Sequence, residues 1–372
     1  QGNSGGLRDS PVTLILSNEE VDDVLVMEDC IAILEETYRE LAAGKGISRV
    51  RSDCLTPTSH PDAIYGLKSM DGVVPSLEVG AVRINSDIIT WPRTGNHRRR
   101  VKVPAAPGNR YVGLILLFST ATGAPLAILP DGVVQRMRVG ATNGLGIKYM
   151  ARQDARRIGI LGSGWQAGAQ LMAAASVREI EDIRCFSPDA DHRETFAREM
   201  TDFLDIPVTP VETPEAALEH ADIALCATNA NSAIFGAEWV RSGLHMSSIK
   251  HVEIDAAAVK LADRAATHIK DTSPIHCVIE GMDGMEALPS RYTPKGWADI
   301  AELDFAAMPE LTDLITGNVP GRGSAEEVTC FINNFGLGYQ FAAVGWLAFD
   351  RARRAGLGHE LPTDLFTETV HP

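Results

Sequence analysis

The stretch Ile158-Gly159-Ile160-Leu161-Gly162-Ser163-Gly164-Trp165-Gln166-Ala167 constrains the fold of this chain more than any other. An apolar run enters a glycine turn, residues 170–176 continue as a helix-forming segment, and a second strand follows at Ile183-Arg184-Cys185-Phe186. The turn spells G-x-G-x-x-A, the dinucleotide fingerprint with alanine as the third small residue. Gly162 permits the tight turn, Gly164 lets the backbone approach a pyrophosphate, and Ala167 lets the new helix pack close to the strand. The helix start, with Ser163, Trp165 and Gln166, offers free N–H groups and a partial positive charge to phosphates. A lone glycine turn of this kind is common, and it is the strand–turn–helix–strand context that makes a Rossmann unit of it.

The alternation continues downstream. Residues 191–203 and 215–220 read as helices, the latter with Pro214 as its start signal. Ile223-Ala224-Leu225-Cys226 reads as a buried strand. It runs into Ala227, Thr228 and Asn229, polar at the carboxyl edge where a doubly wound sheet binds its cofactor. Residues 243–249 read as a strand, 259–265 as a helix and 267–271 as a further strand. This predicts an α/β, doubly wound parallel sheet.

The flanks differ. Ser17-Asn18-Glu19-Glu20 opens an acidic helix, and residues 27–41 carry Ile31, Leu34, Tyr38 and Leu41 at helical spacing, stopped by Gly44 and Gly46. Strands are expected near 47–51, 65–70 and 79–85. A hairpin joins 113–120 to 125–129, and a helix spans 135–151. Residues 91–110 read as a loop, and 326–354 as a long helical pattern interrupted at Gly336 and Gly338.

Several cations stand in apolar surroundings, where a charge needs a partner, a ligand or an exposed face. Arg49 and Arg51 alternate with apolar residues and would share one strand face, while Lys68 and Arg83 lie within strands and Arg138 near a helix start. Cations converging on one pocket would form a carboxylate site, because the guanidinium fork matches a carboxylate. Lys250 and His251 follow a Rossmann strand. After the second strand, Ser187 stands where an acid binds the ribose of NAD, and His192 and Arg193 follow, which leans to NADP; Asp189 would favour NAD instead.

Composition excludes other classes. A net charge of −15 argues against nucleic acid, and Arg98-Arg99-Arg100 reads as a solvated loop. No apolar run reaches the ~20 residues of a membrane helix, and residues 111–118, the longest candidate, read as a buried strand. The six cysteines are scattered, with neither C-x-x-C nor metal spacing, as in a reduced cytoplasmic protein. Residues 1–10 are rich in glycine and serine and read as disordered.

In order, Thr122-Gly123, Asp131, Arg138 to Ala141, Gly162 to Ala167, Ala221-Asp222, Gly243-Leu244-His245, Glu253-Ile254-Asp255, Gly321-Arg322 and Glu326 to Thr329 resemble the ornithine cyclodeaminase/mu-crystallin family over nearly the full length. The resemblance implies a Rossmann domain (residues 143–324) and an α+β substrate and dimerisation domain built from both termini (12–142 and 325–372), in a homodimer. It also implies hydride transfer between a nicotinamide, NADP or NAD, and the C–N bond of a small amino or imino acid. By position Arg138 resembles the carboxylate-binding arginine, Arg51 rather than Arg49 the second one, and Arg83 stands in place of the catalytic lysine, with Lys68 nearby. Arginine stays charged and can only bind or polarise, so Lys68, Lys250 and His251 are the candidates for proton transfer. The aspartate loop of cyclodeaminases is absent at Ile249-Lys250-His251-Val252-Glu253, and Gln340-Phe341 stands where many members have Asp. Ornithine is therefore not the expected substrate. The expectation is an imine or ketimine reductase or an amino acid dehydrogenase. The alternatives are a redox-neutral cyclodeaminase releasing ammonia, or a non-catalytic NADP-bound ligand-binding protein.

Overall fold

Residues 79–90 show how the sequence builds the larger sheet. Val79, Ala81, Arg83, Asn85, Asp87 and Ile89 are buried, and the residues between them are half-exposed. Side chains of period two alternate across a strand, and Val79–Thr90 is one, paired antiparallel with Ala63–Val74 and Val112–Ser119. The structure is a computed structural model and describes residues 11–369 except 61, 95–96, 99–100, 231, 271–274 and 279–302. These strands lie at the centre of a ten-stranded sheet. Its edges are closed by Ile275–Val278 beside Ser52–Pro57 and by His359–Pro362 beside Val12–Ile15.

The second sheet is parallel in all seven strands. In spatial order they are Val208–Pro210, Asp182–Phe186, Arg157–Leu161, Ile223–Cys226, His245–Ser248, Thr329–Ile332 and Arg264–Thr267. The strand order reverses beside Arg157–Leu161, the switch point where such sheets bind ligands. Its central strands are buried throughout, as helices on both faces of a parallel sheet require.

One helix belongs to both halves. Gly132–Met150 is buried along nearly its whole length, because it packs on the helix Met27–Ala42, the helix Trp165–Val177 and the strands of the parallel sheet. Its C-terminus is held by side chains. Arg178 donates to the carbonyls of Ile147, Lys148 and Ala151, and Arg322 to that of Met150. Both put positive charge at the negative end of the helix dipole. A core under the larger sheet joins Met70, Val74, Val79 and Ile115 to Phe341 and Val344 of the helix Gly338–Ala355.

Several expectations need correction. Residues 326–354 are not one helix: Thr329–Ile332 is a fully buried strand of the parallel sheet, and the helix begins at Gly338. A short apolar run fits a buried strand or a helix equally by period, and Asn333, Asn334 and Gly336 break it. Residues 259–265 divide into a helix Ala256–Lys260 and a strand Arg264–Thr267. The strand near 47–51 ends at Ser48, so Arg49 and Arg51 share no strand face. The segment 91–110 is not loop throughout, since Val101–Val103 pairs with Ile88 to Thr90. The run 111–118 forms Val112–Ser119 but buries only one face. The acidic opening is a capping box in which Ser17 and Glu20 bond each other's backbone N–H. Cys185 and Cys226 lie in buried strands, and the five cysteines described by their side chains are free thiols. Among the described residues no helix is long and apolar enough to cross a membrane.

Two histidines are sealed in this core. His245 bonds the Thr329 hydroxyl at 2.9 Å, and burial, then the Arg322 and Arg178 charges, push its pKa down to about 3. Burial pushes His268 down to about 4. The unfolded chain, with histidine near 6.5, takes up protons first as the pH falls. The stability these neutral rings contribute is therefore complete above the unfolded value and is lost as the pH drops from there towards 4. The thermal midpoint is expected to fall across that window in wild type and less steeply in His245→Asn; parallel slopes in melts at pH 4.5, 5.5, 6.5 and 7.5 would contradict this.

Candidate functional site

At the switch point the glycine turn is sewn between strand ends. Gly162 N–H donates to Phe186 O at 2.8 Å, and Ala227 N–H to Leu161 O at 2.9 Å. Gly162 has φ +124°, and a Cβ there would stand 2.2 Å from Ala227 O, so only glycine fits. Gly164 caps the helix Trp165–Val177 without a side chain, and a Cβ on it would meet no protein atom within 4 Å. The space it leaves open belongs to a cleft of about 740 Å³ lined by Gly162, Gly164, Gln166, Asp189, Thr228 and Ile249, among others.

The predicted dinucleotide residues fall around this cleft with one exception. Ser163, Trp165, Ser187, Ala227 and Asn229 line it as well, and Ala167 is buried behind it. Ser163 Oγ bonds His192 Nδ1 at 2.8 Å. The Arg136 guanidinium stacks 3.8 Å from the centroid of the Trp165 ring. Asp189 caps the helix Ala190–Leu204 by accepting from His192 N–H. Arg193 is the exception. It is buried, donates to Ser187 O at 2.7 Å and Glu212 Oε1 at 2.8 Å, and braces the ribose-side loop without lining the cleft.

The far wall depends on a residue quoted from the sequence only as a family mark. Glu253 is fully buried and accepts from Thr228 N–H at 2.6 Å, Thr228 Oγ1 at 2.8 Å and Ile249 N–H at 3.2 Å. Burial raises its pKa against the opposing pull of Lys250 and Thr228. Lys250 Nζ donates to Ala230 O at 2.7 Å, and His251 stacks on Phe335 with centroids 6.0 Å apart.

These residues fit a dinucleotide. The helix N-terminus offers N–H groups where no Cβ intervenes, and Gln166 Oε1 is a buried acceptor with no donor among the described residues.

The predicted cations collect on the buried face of the larger sheet. Asp53, Lys68, Asn85 and Gly113 stand side by side across four strands, with Arg83 and Asp87 one step to either side. This polar belt separates the main core from a small apolar cluster of Leu55, Ile64 and Ile89. Lys68 Nζ pairs with Asp87 Oδ2 and Lys102 Nζ with Asp87 Oδ1, both at 2.8 Å. Burial raises the pKa of Asp87, but the two ammonium groups outweigh it and the net shift is downward. Arg83 holds Asp131 at 2.6 Å, and Arg51 grips Asp53 through two bonds of 2.8 Å. Arg49 lies apart, paired with Asp71 at the surface.

Arg138 differs from its neighbours. It is buried, yet its partners are neutral: Gln135 Oε1 at 2.7 Å and Gln340 Oε1 at 3.0 Å. Burial, then the nearby Arg83 and Arg51 charges, depress its pKa to about 9, so it remains a cation at neutral pH. The Phe341 ring lies 5.0 Å from its guanidinium and 5.3 Å from that of Arg83. Neither Asp53 nor Asp87 was expected as a partner for these cations, although Arg83, Asn85 and Asp87 at every second position within an apolar alternation marked a polar stretch on a buried face.

A glycine-turn dinucleotide cleft in a doubly wound sheet, beside a second sheet bearing a buried cationic belt, defines a two-part nucleotide-dependent α/β protein. Residues 11–356 match the ornithine cyclodeaminase/mu-crystallin family, and the chain belongs to it. A delta(1)-pyrroline-2-carboxylate reductase of Bacillus cereus is 23% identical over 359 residues, covering 94% of this chain and 99% of that protein. The Thermococcus litoralis delta(1)-pyrroline-2-carboxylate reductase, solved with NADH and L-proline, superposes with a TM-score of 0.74 at 25% identity, covering 94% and 100% of the two chains. An archaeal alanine dehydrogenase dimer with bound NAD gives 0.71 at 22% identity, covering 94% and 99%.

The two glycines make separable predictions. Gly162→Ala forces a disfavoured φ and a backbone clash, and is expected to lower the thermal midpoint by several degrees and abolish dinucleotide binding. Gly164→Ala meets no protein atom, so it is expected to leave the midpoint within about 2 °C while weakening dinucleotide binding at least tenfold. Calorimetric titration and thermal melts of both variants check this; full affinity in Gly164→Ala would remove this turn from the binding site.

Proposed function

We propose that the chain is an NAD-dependent oxidoreductase that reduces the C=N bond of a small imino acid, or oxidises the corresponding amino acid. The observation that carries this reading is Arg138, a buried cation held by two neutral amides, on a helix packed against the one that opens at the dinucleotide turn. Among the described residues no carboxylate pairs with it, whereas Arg51 and Arg83 each hold one. A substrate carboxylate supplies the missing charge and accepts the fork in bidentate fashion.

When bound, the nicotinamide supplies the hydride that the imine carbon takes up. The chain must place that carbon and deliver one proton to the nitrogen, which completes the amine. Arg138, with Arg51 at the edge of the same belt, fixes the carboxylate and so the carbon, and much of such a rate enhancement comes from positioning of this kind. Lys68 is the proposed proton donor. It is a buried ammonium on the same sheet face, and lysine can give up a proton where Arg83 cannot. Arg83, fixed on Asp131, stiffens the belt and adds positive potential. Lys250 and His251 shape the opposite wall.

Within the cofactor class, NAD is preferred over NADP. Asp189 lies on the cleft and suits ribose hydroxyls, while Arg193, the cation expected to meet a 2′-phosphate, is taken up by Ser187 O and Glu212. We also propose the homodimer, and the division into a substrate half built from both termini and a dinucleotide half between them. Support for the dimer comes from the outer face of the larger sheet, where Leu67, Val112 and Leu114 stand exposed beside Ile84, Ile88 and Leu116. An apolar sheet face of that kind marks an interface.

The test follows absorbance of the reduced nicotinamide with NADH and NADPH separately. Substrates are 2-oxo acids of two to five carbons with ammonia or methylamine, and cyclic imino acids. Turnover with NADH is expected, weaker with NADPH, and Asp189→Ser, which keeps a capping oxygen, is expected to narrow that preference. Arg138→Ala is expected to raise the imino acid KM roughly 100-fold, as for loss of a buried charged partner, with the KM for NADH within threefold. Release of ammonia from an amino acid with no net change in cofactor would replace this reading with cyclodeamination. Cofactor binding without either reaction would leave a ligand-binding protein.

A further inference from the structure

Behind Arg138 runs a line of buried hydrogen bonds whose shortest contacts assign the donors and acceptors in order; Tyr38 Oη and Thr142 Oγ1 also approach each other, at the longer distance of 3.3 Å. His268 Nδ1 lies 2.5 Å from Phe335 O. A carbonyl only accepts, so Nδ1 carries the hydrogen. The buried ring is neutral at pH 7, which leaves Nε2 as an acceptor. Tyr38 Oη stands 2.7 Å from that Nε2 and must donate to it. Having spent its hydrogen, the Tyr38 oxygen accepts from Gln340 Nε2 at 3.0 Å. The second amide hydrogen of Gln340 goes to Thr142 Oγ1 at 2.6 Å, and Thr142 donates in turn to Arg138 O at 2.8 Å. Gln340 Oε1 is thereby turned to face two donors, Leu337 N–H at 2.8 Å and Arg138 Nη1 at 3.0 Å.

The polarity of this line is set at its far end. If the Gln340 amide flipped, its NH₂ would meet the N–H groups of Leu337 and Arg138, two donors facing a donor. Tyr38, Thr142, His268 and Gln340 are all buried, so a donor or acceptor left unmatched there is costly.

We propose that Tyr38 and His268 are positioning residues that hold the Arg138 guanidinium in one orientation through Gln340, so that it meets a carboxylate without first being ordered. This rests on the reading of Arg138 as the carboxylate anchor. The line does not move a proton to the reacting atoms, because a carboxamide interrupts it.

The experiment uses the full-length protein saturated with NAD and labelled with ¹⁵N-arginine. The Arg138 guanidinium signal is assigned by its disappearance in Arg138→Lys. In wild type its Nη groups are expected to be in slow rotation. Tyr38→Phe leaves the ring but removes both the donor to His268 and the acceptor for Gln340. It is expected to bring the Arg138 signal into fast rotation and to raise the imino acid KM at least tenfold, with less than a threefold fall in kcat. His268→Gln, which offers an amide oxygen to the Tyr38 hydroxyl, is expected to recover at least half of the loss seen in His268→Ala. A guanidinium that stays locked in Tyr38→Phe overturns the proposal whether or not the enzyme turns over imino acids. Absence of turnover in wild type overturns only the reading of the reaction, since the spectrum decides the positioning role independently.

Discussion

The structure depends on a single buried helix. Gly132–Met150 presents Arg138 to the cationic belt from its first turns, and its middle lies against the helix that opens at the dinucleotide turn. Its last carbonyls are tied down by Arg178 and Arg322. Two arginines, one buried and one half-buried, aimed at backbone oxygens of one helix end carry a large desolvation cost. They are tolerable because their nitrogens find carbonyls and, for Arg322 Nη2, the Thr329 hydroxyl, and because the helix dipole is negative there. Asp131, at the other end of the helix, holds Arg83 and so ties the helix start to the sheet.

The belt on the sheet face solves a second problem. A strand that buries Arg83, Asn85 and Asp87 in a row would be unstable against an apolar layer. Here the charges answer one another across strands, Lys68 and Lys102 on Asp87, Arg83 on Asp131, Arg51 on Asp53. Arg138 alone among the belt arginines is balanced by dipoles. The contrast between ion-paired and amide-held arginines separates residues that build the belt from the one proposed to recognise an anion.

Much of this was legible in the chain. The strand–turn–helix around Gly162 and Gly164 is a local signal with few competing conformations, and the alternating pattern after it identified the doubly wound sheet. The cations Arg51, Lys68, Arg83 and Arg138 stood out against apolar neighbours. What stayed hidden was of two kinds. Thr329–Ile332 is an apolar run too short for period to separate strand from helix, and its place between two earlier strands is a matter of topology. Partners such as Asp87 for Lys68 and Gln340 for Arg138 are set by register and by contacts across 19 and 202 positions of sequence, which no local pattern encodes. Arg193 shows a related ambiguity: a cation after the second strand can face the ribose or turn under the loop, and here it donates to Ser187 O and Glu212.

The helix ties the two binding regions together in a way that bears on ligand size. Because Arg138 and the packing against the helix Trp165–Val177 sit on one helix, the span from the proposed anion anchor to the dinucleotide turn is set by that helix. At a rise of about 1.5 Å per residue, sliding the helix by a single turn would shift that span by roughly 5 Å. The molecule thus carries an internal ruler. Its selectivity among anions should depend on how far the reactive carbon lies from the carboxylate, while the remainder of the ligand is read by the variable walls around it.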